Sequence, residues 1–137
     1  MENLTPRMRL AVELLRDAQN LLASGALRSA MSRAYYAAYH ACVDALERFG
    51  FAPGHFRGRN GLPANRWEHR IVWMAFHQTF VMERREVEWR LGVSLRWLFQ
   101  RRVEADYRPE VTILPERAQE AVRLAEELVN TAQRLVI

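Results

Sequence analysis

The sequence predicts an all-α fold, an up-and-down bundle of about five helices forming a single domain over residues 1–137. Three observations predict it. Apolar residues recur at three- and four-residue spacing along most of the chain, the period of a helix buried on one face. Alternation of apolar and polar residues, the mark of a half-buried strand, never persists beyond a few positions. Glycine and proline fall between the periodic stretches. At 137 residues, 50% of them hydrophobic, the chain is long and apolar enough to bury a core.

The first helix is predicted to start at Thr5-Pro6, because threonine is a good N-cap and proline suits the first helical position. Leu10, Leu14, Leu15, Ala18, Leu21 and Leu22 carry it to Ala23, where Ser24-Gly25 breaks it. The second helix runs from about Ala26 to Phe49, with Gly50 as its stop. So short a connection makes the two an antiparallel hairpin. Phe51 to Asn65 holds Pro53, Gly54, Gly58, Gly61 and Pro63, too many breakers for a helix, and reads as a loop. A third helix is expected from about Arg66 to Glu86, with Ile71, Val72, Met74, Ala75, Thr79 and Met82 facing inward. A fourth covers Gly92 to Tyr107 and stops before Pro109. The last runs from Pro115 to Val136, with Ala118, Val122, Ala125, Leu128, Val129, Ala132 and Leu135 on its apolar side.

The net charge is +4 and all 20 basic residues are arginine. A GC-rich coding sequence accounts for that bias, yet arginine also grips phosphates and carboxylates bidentately and stacks on bases, so an anionic partner fits the composition. No apolar run approaches a membrane span, and Met1-Glu2-Asn3-Leu4 lacks a basic-then-apolar leader pattern, so a cytoplasmic location and no membrane partner are expected. Cys42 stands alone among alanine and valine and reads as a small core residue.

The second helix carries the most unusual residues. Ser29 to Cys42 is rich in small side chains but also holds Arg33, Tyr35, Tyr36, Tyr39 and His40. Arg33 and His40 have six residues between them, about two turns, so they share one face roughly 10 Å apart along the axis. Tyr36 lies between them, and Asp44 follows one turn after His40. Ala30, Ala34, Ala37 and Ala41 form a small-residue stripe that would admit a second helix closely.

The segment Ser32-Arg33-Ala34-Tyr35-Tyr36-Ala37-Ala38-Tyr39-His40-Ala41 resembles the second-helix signature of HEPN domains, the small bundles named for higher eukaryotes and prokaryotes nucleotide binding. Arg102-Val103-Glu104-Ala105-Asp106-Tyr107 resembles the end of the fourth helix in one prokaryotic branch of that family. The hairpin, the loop after it and the Glu-rich last helix are similar too, so the resemblance spans nearly the whole chain. It implies a homodimer, a metal-independent ribonuclease built on an Arg and a His with four to six residues between them, and pairing with a minimal nucleotidyltransferase in a toxin–antitoxin or defence system. No cofactor and no metal are implied. In the best-known toxin branch the motif falls in a later helix and a further tyrosine follows it. Here Arg102 is followed by Asp106 and Tyr107 with no histidine in range, so the pair is Arg33 and His40 or there is none. Some branches of the family have lost catalysis.

In metal-free RNA cleavage the 2′-hydroxyl loses a proton, attacks phosphorus and expels the 5′-oxygen. His40 suits general acid–base work because imidazole titrates near neutral pH. Arg33 would hold the phosphate and stabilise the transition-state charge. Asp44 would orient the imidazole, and Tyr36 would hydrogen-bond a phosphate oxygen. Helical side chains two turns apart do not converge, so one chain alone is a poor site. An antiparallel second copy would bring Arg33 of one chain near His40 of the other.

The structural alternative pairs Arg33 with Asp106 or Asp44 and leaves Tyr36 and His40 hydrogen-bonded across the hairpin. The non-catalytic alternative is a subunit that binds a minimal nucleotidyltransferase, with its nucleotide or RNA, through the same face. Arg57, Arg59, Arg66 and Arg70 cluster around the Gly-rich loop, as a phosphate-binding rim or a solvated loop. Arg102, Asp106 and Tyr107 either lock the fourth helix against the hairpin or face a bound nucleotide. His69 and His77 flank Trp73 on the third helix, but they lack the i, i+4 spacing and the carboxylate of a metal site. Trp67, Trp73, Trp89 and Trp97 read as core or interface anchors.

Overall fold

The computed structural model describes residues 3–137, so Met1 and Glu2 of the stretch read for a leader lie outside the described residues. It is an all-α helical bundle of α1 (Pro6–Ala23), α2 (Leu27–Arg48), α3 (His69–Phe76), α4 (Trp89–Gly92), α5 (Ser94–Tyr107) and α6 (Pro115–Arg134). A 3₁₀ turn covers Pro53–His55, and a π-helical segment, His77–Glu83, continues α3. No strand occurs among the described residues, and Arg57 and Pro63 form one isolated β-bridge in the loop. No helix is long and apolar enough to cross a membrane among the described residues.

The first hairpin forms as its punctuation predicts. The Thr5 hydroxyl accepts from the Met8 N–H at 3.0 Å, the N-cap bond, with Pro6 at the first helical position. Gly25 and Gly50 both adopt positive φ, 82° and 88°, and each closes its helix with the paired bonds of a Schellman motif. The face of α1 that enters the core is Met8, Ala11, Leu15 and Ala18, whereas Leu10, expected inside, is 39% exposed.

α2 is the central element and packs on α1, α3, α5 and α6. Its directions relative to its neighbours follow from which ends meet. Arg7 reaches Glu47 and Asp17 reaches Arg33, so α1 and α2 are antiparallel. Arg28 meets the end of α5 and Arg48 meets the end of α6, so α5 runs against α2 and α6 runs with it. His69 lies beside Tyr35 and Phe80 beside Phe49, so α3 runs in the same sense as α2. The long loop carries the chain back between them, which breaks strict up-and-down alternation.

Ala30, Ala34, Ala37 and Ala41 are wholly buried within this one chain. That corrects the expectation that they admit a second copy: the close approach they permit is used by the helices packed on α2. Cys42 is a buried core residue whose thiol is pushed up by burial.

The third helix departs from expectation. It starts at His69 rather than Arg66, and from His77 it winds as a π-helix, with Arg84 N–H bonded to Thr79 O at 3.0 Å. The wider turn shifts the facing residues. Ile71, Val72, Ala75 and Thr79 point inward as predicted, but Phe80 and Val81 replace Met82, which is 51% exposed. The predicted fourth helix is α5, from Ser94 to Tyr107, and a separate short helix, α4, precedes it across Val93. Gly92 lies so close to the π segment that a Cβ there would sit 2.2 Å from Val81 Cγ2. The apolar side of α6 is buried as predicted, but the helix ends at Arg134. None of the four tryptophans is in the fully buried core, whose large aromatic residues are Tyr35, Phe76 and Phe80.

Candidate functional site

The candidate site is the outward face of α2, flanked by α1 on one edge and by α3 and α5 on the other. On the α1 edge Arg33 is exposed and pairs with Asp17 at 3.4 Å. It meets neither Asp44 nor Asp106. His40 is half-buried, and its Nδ1 accepts from Arg7 at 3.0 Å. A guanidinium always donates, so Nδ1 is the acceptor and the ring proton sits on Nε2. Burial, and then the Arg7 charge, hold His40 below the ordinary histidine value, so the imidazole is neutral near pH 7. Arg7 also binds Glu47 at 3.3 Å, and Glu47 accepts from Trp67 Nε1 at 3.1 Å.

Asp44 is not beside His40. It is 3% exposed and lies beneath the end of the hairpin, where it accepts from the Thr5 hydroxyl and from Arg48 Nε at 2.6 Å. The expectation that it orients the imidazole is corrected: one turn along α2 carries its side chain under α1. Arg7 is the group that holds His40.

On the other edge Tyr35, Tyr36, Tyr39, His69 and Phe99 form one aromatic cluster. The buried Tyr35 hydroxyl is pushed up by desolvation, stays protonated, and bonds His69 Nδ1. The Tyr39 hydroxyl donates to Trp67 O at 2.5 Å. Tyr36 is half-buried. Arg102 enters this cluster from α5 at 6% exposure, with the rings of Tyr35, Tyr36, Phe99 and Tyr107 5.3–5.6 Å from its Cζ. Its carboxylate partner is Asp106 at 3.6 Å, and Asp106 in turn accepts from Ser32 at 3.1 Å. Arg102 and Asp106 therefore pack against α2, while Tyr107, 67% exposed, flanks Arg102 at the rim. His69 is held below its ordinary value by burial and then by Arg102's charge.

The loop arginines do not form one rim. Arg59 and Arg66 border one groove and Arg57 and Arg70 another. Arg57 donates to Gly61 O at 2.8 Å within its own turn, and Arg66 sits 3.8 Å from Glu68 at the surface. His77 packs on Trp89, away from His69, and no three His, Cys, Asp or Glu side chains cluster at metal-binding range among the described residues.

Sequence reasoning missed Arg7 and His69 as parts of this face. The hairpin was legible but not its register, which sets Arg7 against His40. His69 stood out only beside His77, on its own helix, whereas its neighbours come from α2 and α5. No protein family's sequence profile matches the chain, and no curated protein matches it.

Proposed function

We propose that this protein is a HEPN-type endoribonuclease that cleaves RNA without a metal ion, acting as a dimer through the outward face of α2. The observation that carries the reading is His40, a neutral, half-buried imidazole held by one arginine and sharing its face with an exposed second arginine. A neutral imidazole is what a general base must be before it acts. A substrate phosphate competes for Arg7, and as Arg7 turns to it, His40 Nδ1 is released to take the 2′-hydroxyl proton. The 2′-oxygen then bonds to phosphorus, and the 5′-oxygen leaves and takes a proton from solvent, giving a 2′,3′-cyclic phosphate. Arg33, two turns away, is supplied to that phosphate by the second copy.

A second reading is favoured by Tyr107, 67% exposed, which flanks Arg102 as the half-buried Tyr36 does. Surface tyrosines of this kind suit a protein interface, so the alternative is a non-catalytic HEPN subunit that binds a minimal nucleotidyltransferase. RNA cleavage in EDTA separates the two. Wild type should cut, while His40→Ala and Arg33→Ala each lose about a hundred-fold or more in rate with the oligomer unchanged. A wild-type protein inert on every RNA tried overturns the nuclease and leaves the partner subunit.

A further inference from the structure

We infer that Arg102 and His69 together hold a phosphate group, at a site on the α5 edge separate from Arg33 and His40. Arg102 is the observation that calls for a ligand. The residue is 6% exposed, its Nε is buried with no partner, and Asp106 at 3.6 Å lies beyond hydrogen-bonding distance. Asp106 supplies a counter-charge at salt-bridge distance but no hydrogen bond, and the aromatic faces supply no acceptor for the guanidinium N–H groups. Two other arginines of this fold show what a purely structural guanidinium does here. Arg48 fills Nε, Nη1 and Nη2 with Asp44, Leu135 O and Ala132 O, and Arg28 spreads its two terminal nitrogens over the carbonyls that end α5.

His69 adds a second group. The Tyr35 hydroxyl occupies Nδ1, which leaves Nε2 for a ligand, and in the tautomer in which that hydroxyl donates, Nε2 carries the ring proton. His69 and Arg102 share Tyr35, Tyr36 and Phe99 as neighbours, which places both on one small surface. Asp106, the only carboxylate in contact with Arg102 among the described residues, is also held by Ser32 at 3.1 Å. A phosphate oxygen would take the terminal guanidinium nitrogens, to which Asp106 makes no hydrogen bond, with the flanking rings available to a base or ribose. This inference rests on the RNA reading only for the polymer's identity. The phosphate site itself stands on the two groups.

The test is NMR of the ¹⁵N-labelled full chain, titrated with inorganic phosphate, with adenosine 5′-monophosphate, and with a non-cleavable 2′-O-methyl RNA hexamer. The His69 imidazole nitrogens and the Arg102 guanidinium should shift together and saturate. Arg102→Lys, which keeps the charge but loses the planar fork, should weaken binding about ten-fold or more. His69→Gln is the second variant should Arg102→Lys unfold, and a thermal melt decides that. A response to the hexamer as well as the small anions names the RNA backbone as the source. A response to phosphate and the mononucleotide alone names a free nucleotide. No shift at His69 or Arg102 with any probe, or equal affinity in wild type and a folded Arg102→Lys, overturns the site. Phosphate binding without RNA cleavage sinks the nuclease reading and keeps this one, and cleavage without a His69 response does the reverse.

Discussion

At its two ends α2 leaves no charged group short of partners, whereas along the middle of its outward face the charged groups are underfilled. Arg28, at the start, binds carbonyls of Glu104, Ala105, Arg108, Pro109 and Val111 and so caps α5. Arg48, at the end, caps α6 through Ala132 and Leu135 while Asp44 fills its third nitrogen and also ties down Thr5. Between them Arg33 has one exposed carboxylate at 3.4 Å and Arg102 one at 3.6 Å. All are arginines in the same bundle, so residue type does not separate them. What separates them is whether backbone carbonyls at a helix terminus are in reach. A guanidinium that closes a helix end holds the fold together, and one left underfilled on a face is free to hold something else.

The largest effect should come from the α2 end. Asp44→Ala leaves Arg48 and the Thr5 hydroxyl without their shared carboxylate and should cost about 3 kcal/mol in urea unfolding, through a broken buried pair. Such a loss would place Asp44 in the fold, and an unchanged midpoint with lost cleavage would return it to the chemistry. Arg28→Ala should cost about 2 kcal/mol, as a charged donor is withdrawn from a helix terminus. Hydrogen exchange should quicken first at the end of α5.

The pH dependence sharpens the contrast at the face itself. His40 and His69 both have pKa values below the unfolded one. As pH falls below about 6.5 the unfolded chain takes up these protons before the folded chain does, so stability falls with falling pH. The loss is complete once the folded-state values are passed. Replacing both with Gln should flatten the unfolding free energy across that window, measured by urea titration at stepped pH. The smallest effect is Arg33→Ala, an exposed pair, which should change stability by less than about 0.5 kcal/mol. A larger change would mean that the middle of the face is structural as well.

Within the fold, local signals were legible because their physics is local. Thr5-Pro6, Gly25 and Gly50 act through their own hydrogen bonds and φ angles, and α6 shows its buried side in its own period. The π winding after Phe76 was not legible. It is selected where α3 must fit against α4, with Gly92 pressed on Val81, and nothing within His77 to Glu83 announces it. The candidate site divides the same way. That α2 bears an arginine, a tyrosine and a histidine on one face follows from helical spacing, and Arg33, Tyr36 and His40 do share it. That Asp44 turns under α1 depends on which neighbour covers that part of the helix.

By itself, then, the sequence determined the all-α class, the two hairpin helices with their caps, the inward side of α6 and the polar stripe on α2, because each is a property of residues within a few turns of one another. The tertiary structure decided that the alanine stripe is spent inside the chain, that Arg7 rather than Asp44 holds His40, and that Arg102 and His69 meet on the tyrosine cluster. Those pairings join residues 33 or more positions apart, and their register depends on how whole helices dock.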